Sequence, residues 1–420
     1  MLRKLRSNYM VSTFLNLKGN PRACVWTEPL WGVAYNLYLP YVTLFMTTIG
    51  LTYAEIGYVT SITMASQMIF AVLSGVLCDK MGRRRCTIVF DILSWSVPEL
   101  LWMLSQNFAW FAVAAAFNGM WRVTENSWYL LLIEDTEKDQ IMPLISLTEL
   151  MGLFAAFFAP LSKFAIDAFG LVPTMRFFYG LACVMMTAKF VILYLLGTET
   201  RNGVRRMQAT KNRSMLSLLW ECKDVYLKII HEKRMVLTLG IMAAYTLAVT
   251  ITRDYWALYL HDNLGVAEGD VVIFTTIKSI VTLVCIFLLV PRAQKVHFKR
   301  PILVSLCGYA AAQIILLANP GGWMLVPGLA LSVIIEAMAL SVLNPLVNSL
   351  LFVNAEEDER ARVCGMVFAT VALIVTVFPA LVGMLAQIDL MLPFVVNMGL
   401  FVITGVLTVL ISRVGATDSE

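Results

Sequence analysis

Twelve mostly apolar runs follow one another along the chain, and short breaks containing charged residues, Gly or Pro separate them. A helix needs about 20 apolar residues to cross a bilayer, and the runs reach or approach this length. Long apolar runs predict helices with apolar surroundings on all sides, whereas a half-buried helix shows one apolar stripe. The approximate limits of the runs are 24–48, 56–77, 86–105, 108–133, 141–165, 173–197, 235–260, 268–291, 301–319, 322–352, 363–388 and 391–412.

Charge is too scarce for a soluble chain of this length. Only 14% of the 420 residues are charged, whereas a soluble domain carries about 25%. This composition excludes a secreted enzyme, a soluble nucleotide-binding enzyme and a disordered regulator. Unbroken apolar runs also exclude an outer-membrane barrel, whose strands alternate in polarity. The sequence therefore predicts an all-α membrane protein with twelve transmembrane helices.

A polar stretch after the sixth run divides the chain into two blocks of six helices. Its second part mixes Leu216, Trp220 and Ile230 with charges, which predicts an amphipathic helix on the membrane surface. The predicted organisation is a cytoplasmic segment 1–23, a bundle 24–197, a linker 198–233, a second bundle 234–413 and a cytoplasmic tail 414–420.

The basic residues predict the orientation. Most of the 32 Lys and Arg residues fall in gaps on one side of the predicted membrane when the N-terminus is placed in the cytoplasm. Cytoplasmic loops carry an excess of Lys and Arg. We therefore expect a multi-pass protein of the inner (cytoplasmic) membrane with both termini in the cytoplasm.

The two blocks carry a weak internal repeat. Gly50 and Glu55 precede the second helix as Gly265 and Asp270 precede the eighth, with the same offset of 215 residues. Parallel repeats of this kind are typical of secondary transporters, which bind solute near the membrane midplane between the halves.

The break after the second helix carries a specific motif. It reads Gly75-Val-Leu-Cys-Asp79-Lys80-Met-Gly82-Arg83-Arg84-Arg85. This resembles the signature loop of the major facilitator superfamily, G-x-x-x-D-[RK]-x-G-R-[RK], at each defined position. The resemblance extends over essentially the whole chain and implies two pseudo-symmetric six-helix bundles in the fold of that family.

Within this loop, Gly75 is expected where two helices approach closely, and Gly82 at a tight turn. The resemblance implies that Asp79 lies against the start of the eleventh helix. It also implies a latch that holds the cytoplasmic side shut in the outward-facing state. The latch residues would be Gly75, Asp79, Lys80, Gly82, Arg83 and Arg84. The alternative is an ordinary basic cytoplasmic loop.

Ionisable residues inside the predicted spans are candidates for function, because each costs roughly 2.5–3.5 kcal/mol or more to insert. Arg122 and Glu125 in the fourth helix are spaced to pair on one face. The stretch resembles the family's R-x-x-Q-G motif of proton-coupled members, with Glu125 and Asn126 replacing the Gln and Gly. A self-satisfied ion pair that fixes helix packing is the alternative.

Glu336 lies near the middle of the tenth helix with no basic residue within a turn. Such a carboxyl could take up and release a proton, which a proton-coupled carrier requires. The alternative is a static ion pair with Lys278 of the eighth helix. Lys189 and Lys278 could also neutralise an acidic substrate, and a kink at Pro98 could expose Glu99.

Two further groups complete the candidate site. Tyr35 and Tyr38 belong to an aromatic stripe on the first helix that could contact a solute, although packing is the alternative. Arg253 and Asp254 follow each other near the external end of the seventh helix, where side chains point about 100° apart. They could form an interface anchor or an external gate.

These observations predict a secondary active transporter for a small solute, proton-coupled, working by alternating access in uptake or efflux. A transporter-derived solute sensor without flux is the alternative. Common ATPase, zinc-protease and hydrolase motifs are missing from the sequence, so no enzymatic activity, metal or cofactor is expected. The expected partners are the solute, protons and the lipid bilayer, without nucleic acid, and the protein is expected to be a monomer.

Overall fold

The computed structural model describes residues 14, 16–220, 231–289, 292, 296, 298–353 and 360–417. The first half comprises α1 (Gly19–Tyr38, continued by Val42–Thr48), α2 (Tyr53–Met81), α3 (Arg83–Leu104), α4 (Phe108–Asn118 and Trp121–Ile133), α5 (Lys138–Ala156 and Leu161–Phe169) and α6 (Leu171–Leu196). The second half comprises α7 (Lys233–Leu258), α8 (Val271–Leu288), α9 (Lys299–Leu317), α10 (Leu325–Val353), α11 (Arg360–Val375 and Phe378–Ile388) and α12 (Leu392–Thr417).

Each predicted run thus contains helix, and the expected all-α class is confirmed. Ten helices of the described chain are long and apolar enough to cross a membrane. The two remaining ones, α1 and α4, are interrupted, α1 by the turn Leu39–Tyr41 and α4 after Asn118. These two helices also carry the ionisable residues Glu28, Arg122 and Glu125, two of which are candidate site residues.

Local sequence explains the ends of α2. The Thr52 side chain accepts from the backbone N–H of Glu55, and the Glu55 carboxylate accepts from the Thr52 N–H, a capping box that starts the helix. Gly82 ends it with φ +81°, in the region that favours glycine, and α3 begins at the next residue. The short loop is therefore fixed by its own residues.

The linker contributes two described helices, Arg201–Thr210 and Met215–Trp220. The middle of the predicted amphipathic helix, residues 221–230, lies outside the described residues. Below, the end of the molecule that carries Gly50 and Gly265 is called the external end, and the end that carries Gly82 the cytoplasmic end, following the orientation expected from the basic residues.

The two halves are held together at the external end. Polar contacts there join Tyr53 to Asp262 (2.6 Å), Thr60 to Asp254 (2.7 Å) and Lys163 to Asp270 (2.6 Å). The backbones of α2 and α11 also touch, because a Cβ on Gly57 would lie 3.0 Å from the Cα of Gly383. In the orientation expected from the basic residues, closure at this end is that of an inward-facing arrangement.

Gly75 shows no close helix approach among the described residues. A Cβ built on Gly75 meets no atom of the described residues within 4 Å, whereas α2 and α11 pack tightly near Gly57. Residues 354–359, which precede α11, lie outside the described residues. A close approach of two helices at Gly75 therefore stays a prediction.

Candidate functional site

A cavity of about 680 Å³ lies between the two halves and is called the central cavity. Helices α1 to α4 and Ala159 of α5 line it from the first half, and α7 to α10 line it from the second. Six of the predicted site residues contribute to its wall: Tyr35, Tyr38, Arg253, Asp254, Lys278 and Glu336. The cavity is large enough for a drug-sized or nutrient-sized molecule.

Glu336 and Lys278 form an ion pair across the cavity wall, with the Lys278 Nζ 2.6 Å from a Glu336 carboxylate oxygen. Glu336 is buried, and its side chain is only 4% exposed, whereas that of Lys278 is 34% exposed. Of the two readings of Glu336, the structure therefore adopts the ion pair in this conformation. The pair still borders the cavity, so a solute can reach the lysine.

Asp254 joins the two halves. Its carboxylate accepts a hydrogen bond from Thr60 of α2 (2.7 Å) and one from the Arg253 side chain (2.8 Å). The expected divergence of Arg253 and Asp254 is therefore wrong for their charged ends, because the long arginine side chain folds back to reach its neighbour. Asp254 is buried and lies at the external end of the central cavity, next to the contacts that join the two halves there.

The aromatic stripe of α1 leads to a buried acid. Trp31 and Tyr35 stack with ring centroids 4.7 Å apart, and Tyr38 packs edge-on against Tyr35. The Tyr38 hydroxyl donates a 2.6 Å hydrogen bond to one Glu99 oxygen. Glu99 is fully buried, and its second oxygen has no partner among the described residues. Among the described residues, the Tyr38 hydroxyl is therefore the hydrogen-bond link between Glu99 and the central cavity.

A cluster of four neutral polar residues beside the central cavity was not predicted from the sequence. The Thr252 hydroxyl oxygen lies 2.7 Å from the Tyr309 hydroxyl, 3.2 Å from the Gln313 amide nitrogen and 3.0 Å from the Asn397 amide nitrogen. All four residues are buried. They come from α7, α9 and α12, and neutral residues scattered over three helices give no signal in a search for charges.

Arg122, Glu125 and Lys189 line or border a second, smaller cavity of about 220 Å³ within the first half, which is called the wall pocket. Arg122 pairs with Glu125 at 2.7 Å, as their spacing predicts. Lys189 pairs with Glu28 of α1 at 2.8 Å. The wall pocket and the central cavity share Trp31, Trp95 and Trp121, so the two spaces adjoin.

The signature loop is anchored within the first half. Arg83 is 3% exposed, and its guanidinium contacts Glu134 at 2.9 Å and Asp79 at 3.1 Å. The Glu199 carboxylate accepts from the backbone N–H groups of Arg83 and Arg84, which places a negative charge at the start of α3. A local motif thus depends on distant acids that the sequence analysis did not assign to it.

The remaining loop residues bind the linker. Lys80 donates to the carbonyl of Thr210 at 3.5 Å. The second Asp79 oxygen accepts from the Arg206 guanidinium, with the Nε at 3.0 Å. Arg83 and Arg206 thus bind the Asp79 carboxylate. The expected placement of Asp79 against the start of the eleventh helix stays a prediction, because the side chains at 360–365 lie outside the described residues.

The sequence model of the Major Facilitator Superfamily matches residues 30–255 and 238–419, which together cover most of the chain. The chain belongs to this family. Its predicted fold class and its expected lack of enzymatic activity are therefore confirmed. Among the residues described, no group of three His, Cys, Asp or Glu side chains is placed to hold a metal ion.

Two kinds of relative add detail. The quinolone resistance protein NorA of Staphylococcus aureus is 27% identical over 85 residues, which is 20% of this chain and 22% of NorA. Solved structures match over nearly the full length: the nucleoside transporter NupG (13% identity, 94% and 99% of the two chains, TM-score 0.70) and a peptide transporter POT in complex with sulfate (15%, 95% and 95%, TM-score 0.71). At this identity the likeness concerns the fold.

Proposed function

We propose that this membrane transporter is a secondary active carrier that moves a small organic solute across the cytoplasmic membrane by alternating access, with the central cavity as its solute site. The observation that carries the proposal is the cavity itself, about 680 Å³ in volume and closed at the external end by contacts between the halves. In the opposite state those contacts would break and Gly75 would gain a neighbour.

The charges on the cavity wall favour a polar solute. The Lys278 side chain is one-third exposed beside the buried Glu336, so an acidic group of the solute could bind the ammonium in place of that carboxylate. Tyr35 and Trp31 offer ring faces on the opposite wall. A solute with both a ring and an acidic or polar group would use both walls.

Proton coupling has its strongest support at Glu99. A carboxylate in an apolar site, with one tyrosine hydroxyl as its partner, would carry an uncompensated buried charge, so the group takes up a proton instead. We propose that Glu99 holds the coupled proton in this conformation. Movement of α1 would separate Tyr38 from Glu99 and admit water, which releases the proton.

Glu336 and Glu125 are the further candidates for proton transfer, with Arg122 beside Glu125. Both acids are paired here, Glu336 with Lys278 and Glu125 with Arg122. Protonation of either acid would free its basic partner for a solute. In this proposal the pairs exchange partners during the cycle, while Glu99 gains and loses only its proton.

The test uses purified protein in liposomes that contain a pH-sensitive dye. A panel of nucleosides, dipeptides and fluoroquinolones is added with and without a pH gradient, since these are the compound classes of the similar proteins. We expect one class to accumulate with the gradient and to move protons. Glu99→Gln should lose gradient-driven accumulation and keep exchange of solute across the membrane, because exchange needs no net proton transfer.

Two results would overturn the proposal. If no compound in a broad panel crosses the membrane or moves protons, the protein is not a carrier of this kind. If Glu99→Gln and Glu336→Gln both accumulate solute as the unaltered protein does, coupling runs through other groups. Binding without flux would favour the solute sensor.

A further inference from the structure

Four tryptophans give the wall pocket an aromatic lining. Tryptophans of α1, α3 and α4 line it, namely Trp31, Trp95, Trp121 and Trp128. The rings of Trp31 and Trp95 meet at 85° with centroids 5.0 Å apart, which makes a right-angled aromatic corner. Aromatic faces arranged around a small space attract cations through the ring quadrupole.

An ammonium group already lies against this lining. The Lys189 Nζ is 5.7 Å from the ring centroid of Trp31, 5.7 Å from that of Trp128 and 5.9 Å from that of Phe190. Lys189 is only 5% exposed, so its charge is held in the pocket by these rings and by Glu28. The lining is therefore able to hold an organic ammonium group within the membrane-embedded part of the protein.

The charges of the pocket leave one carboxylate in excess. Glu28 pairs with Lys189, and Glu125 pairs with Arg122. The third acid, Asp91, is 6% exposed and lines the pocket together with Thr124 and Lys189. When Asp91 is ionised, three acids against two bases leave one negative charge in excess, beside about 220 Å³ of space.

The mouth of the pocket faces the gap between the halves. The Glu125 side chain is 51% exposed, and the guanidinium of its partner Arg122 lies 5.4 Å from the ring of Phe368 on α11. A ligand that enters between the halves can therefore reach the wall pocket past Glu125.

We propose that the wall pocket is a binding site for a small organic ammonium ion, with the tryptophan faces around the alkylated nitrogen and Asp91 as its counter-charge. A quaternary ammonium fits best, because it needs no hydrogen-bond acceptors and gains from ring contact on several sides. This site shares Trp31, Trp95 and Trp121 with the central cavity, whereas Asp91 and Trp128 line the wall pocket and not that cavity. The inference does not depend on the proposed transport activity, since binding is measured on protein in detergent.

The probe is tritiated choline, bound to the purified full-length protein. Its neutral carbon isostere, 3,3-dimethylbutan-1-ol, serves as a competitor of the same shape without the charge. We expect saturable choline binding that the isostere does not displace. Asp91→Asn and Trp128→Leu should each weaken binding by about tenfold, the scale of one desolvated cation–π or charge contact.

Controls separate a local effect from unfolding. Trp128→Phe keeps an aromatic ring and should bind within a few-fold of the unaltered protein, whereas Trp128→Leu should not. Trp323→Leu changes a tryptophan that is 84% exposed and far from the pocket in sequence, and should leave choline binding unchanged. Glu336→Gln alters the central cavity and should do the same.

Three outcomes would overturn the assignment. The first is no saturable choline binding by folded protein. The second is equal displacement by the neutral isostere, which would make the site a simple apolar one. The third is loss of binding in Glu336→Gln with retention in Asp91→Asn, which would put the cation in the central cavity. Failure of solute transport alone would leave this inference intact.

Discussion

The Tyr38 hydroxyl donates a 2.6 Å hydrogen bond to Glu99, and this is the bond through which a fully buried acid meets the central cavity. Helix α1 supplies the donor and α3 the acid, so relative movement of two helices in the same half would alter the proton's surroundings. The following predictions test this relationship and three others.

Tyr38→Phe should lower stability and impair coupling. Removal of the hydroxyl deletes the hydrogen bond that Glu99 accepts from Tyr38. An unsatisfied buried polar group costs about 1–3 kcal/mol. The free energy of unfolding in a detergent–SDS titration measures this loss. Tyr38→Phe combined with Glu99→Leu should recover most of the stability without coupling. If the single variant is as stable as the unaltered protein, the bond contributes nothing.

Lys278→Met should destabilise the protein more than Lys278→Met combined with Glu336→Gln. The single change leaves a buried carboxylate without its base, which costs about 3 kcal/mol or more, whereas the double change removes both charges. A double-mutant cycle in the same titration gives the coupling energy. Additive effects of the two single changes would show that the pair is not coupled in solution.

Gly57→Val should hold the external end open. Its side chain would meet the Pro379 carbonyl and the Gly383 Cα, both backbone atoms that cannot move aside alone. Met46→Cys, a buried position on the cavity wall, reports the change through labelling by a membrane-impermeant maleimide from outside. We expect faster labelling in Gly57→Val, and no change in Gly399→Val, because a Cβ there meets no atom within 4 Å in the part of the chain that the structure describes. Equal labelling would exclude a role of this contact in closure.

Arg83→Ala should destabilise the cytoplasmic end far more than Arg85→Ala. Arg83 is buried between Glu134 and Asp79, and removal of one partner of a buried ion pair costs about 3–5 kcal/mol. Arg85 is exposed, where a single substitution changes stability by about 0.5 kcal/mol or less. The midpoint of thermal unfolding compares the two variants. Equal midpoints would mean that Arg83 is not structurally required.

The sequence was informative where the signal was local or periodic. Long apolar runs predicted the helices, and the glycine of the signature loop coincides with a backbone at φ +81°. The spacing of Arg122 and Glu125 predicted their contact, because three residues on a helix bring side chains together. In each of these cases the partners lie within one helix or one turn.

Partners from different helices could not be read from spacing. Glu28 and Lys189 are 161 residues apart, and Asp79 and Arg206 are 127 apart, so only the packing of the bundle brings them together. The contact of Gly57 with α11 at the external end could not be predicted from the sequence either, since a glycine in an apolar helix can have several roles.

Helix α2 carries Gly57 against α11 at one end, and at the other end Gly75, whose Cβ would meet no atom of the described residues within 4 Å. The described helix is continuous over the 29 residues from Tyr53 to Met81, so it has no internal hinge. A rigid helix with a backbone contact near one end can change sides by tilting about its middle. The energy that separates the two states would then depend on how well two small patches of backbone fit, and substitutions of one methyl group at either end should be enough to shift the balance.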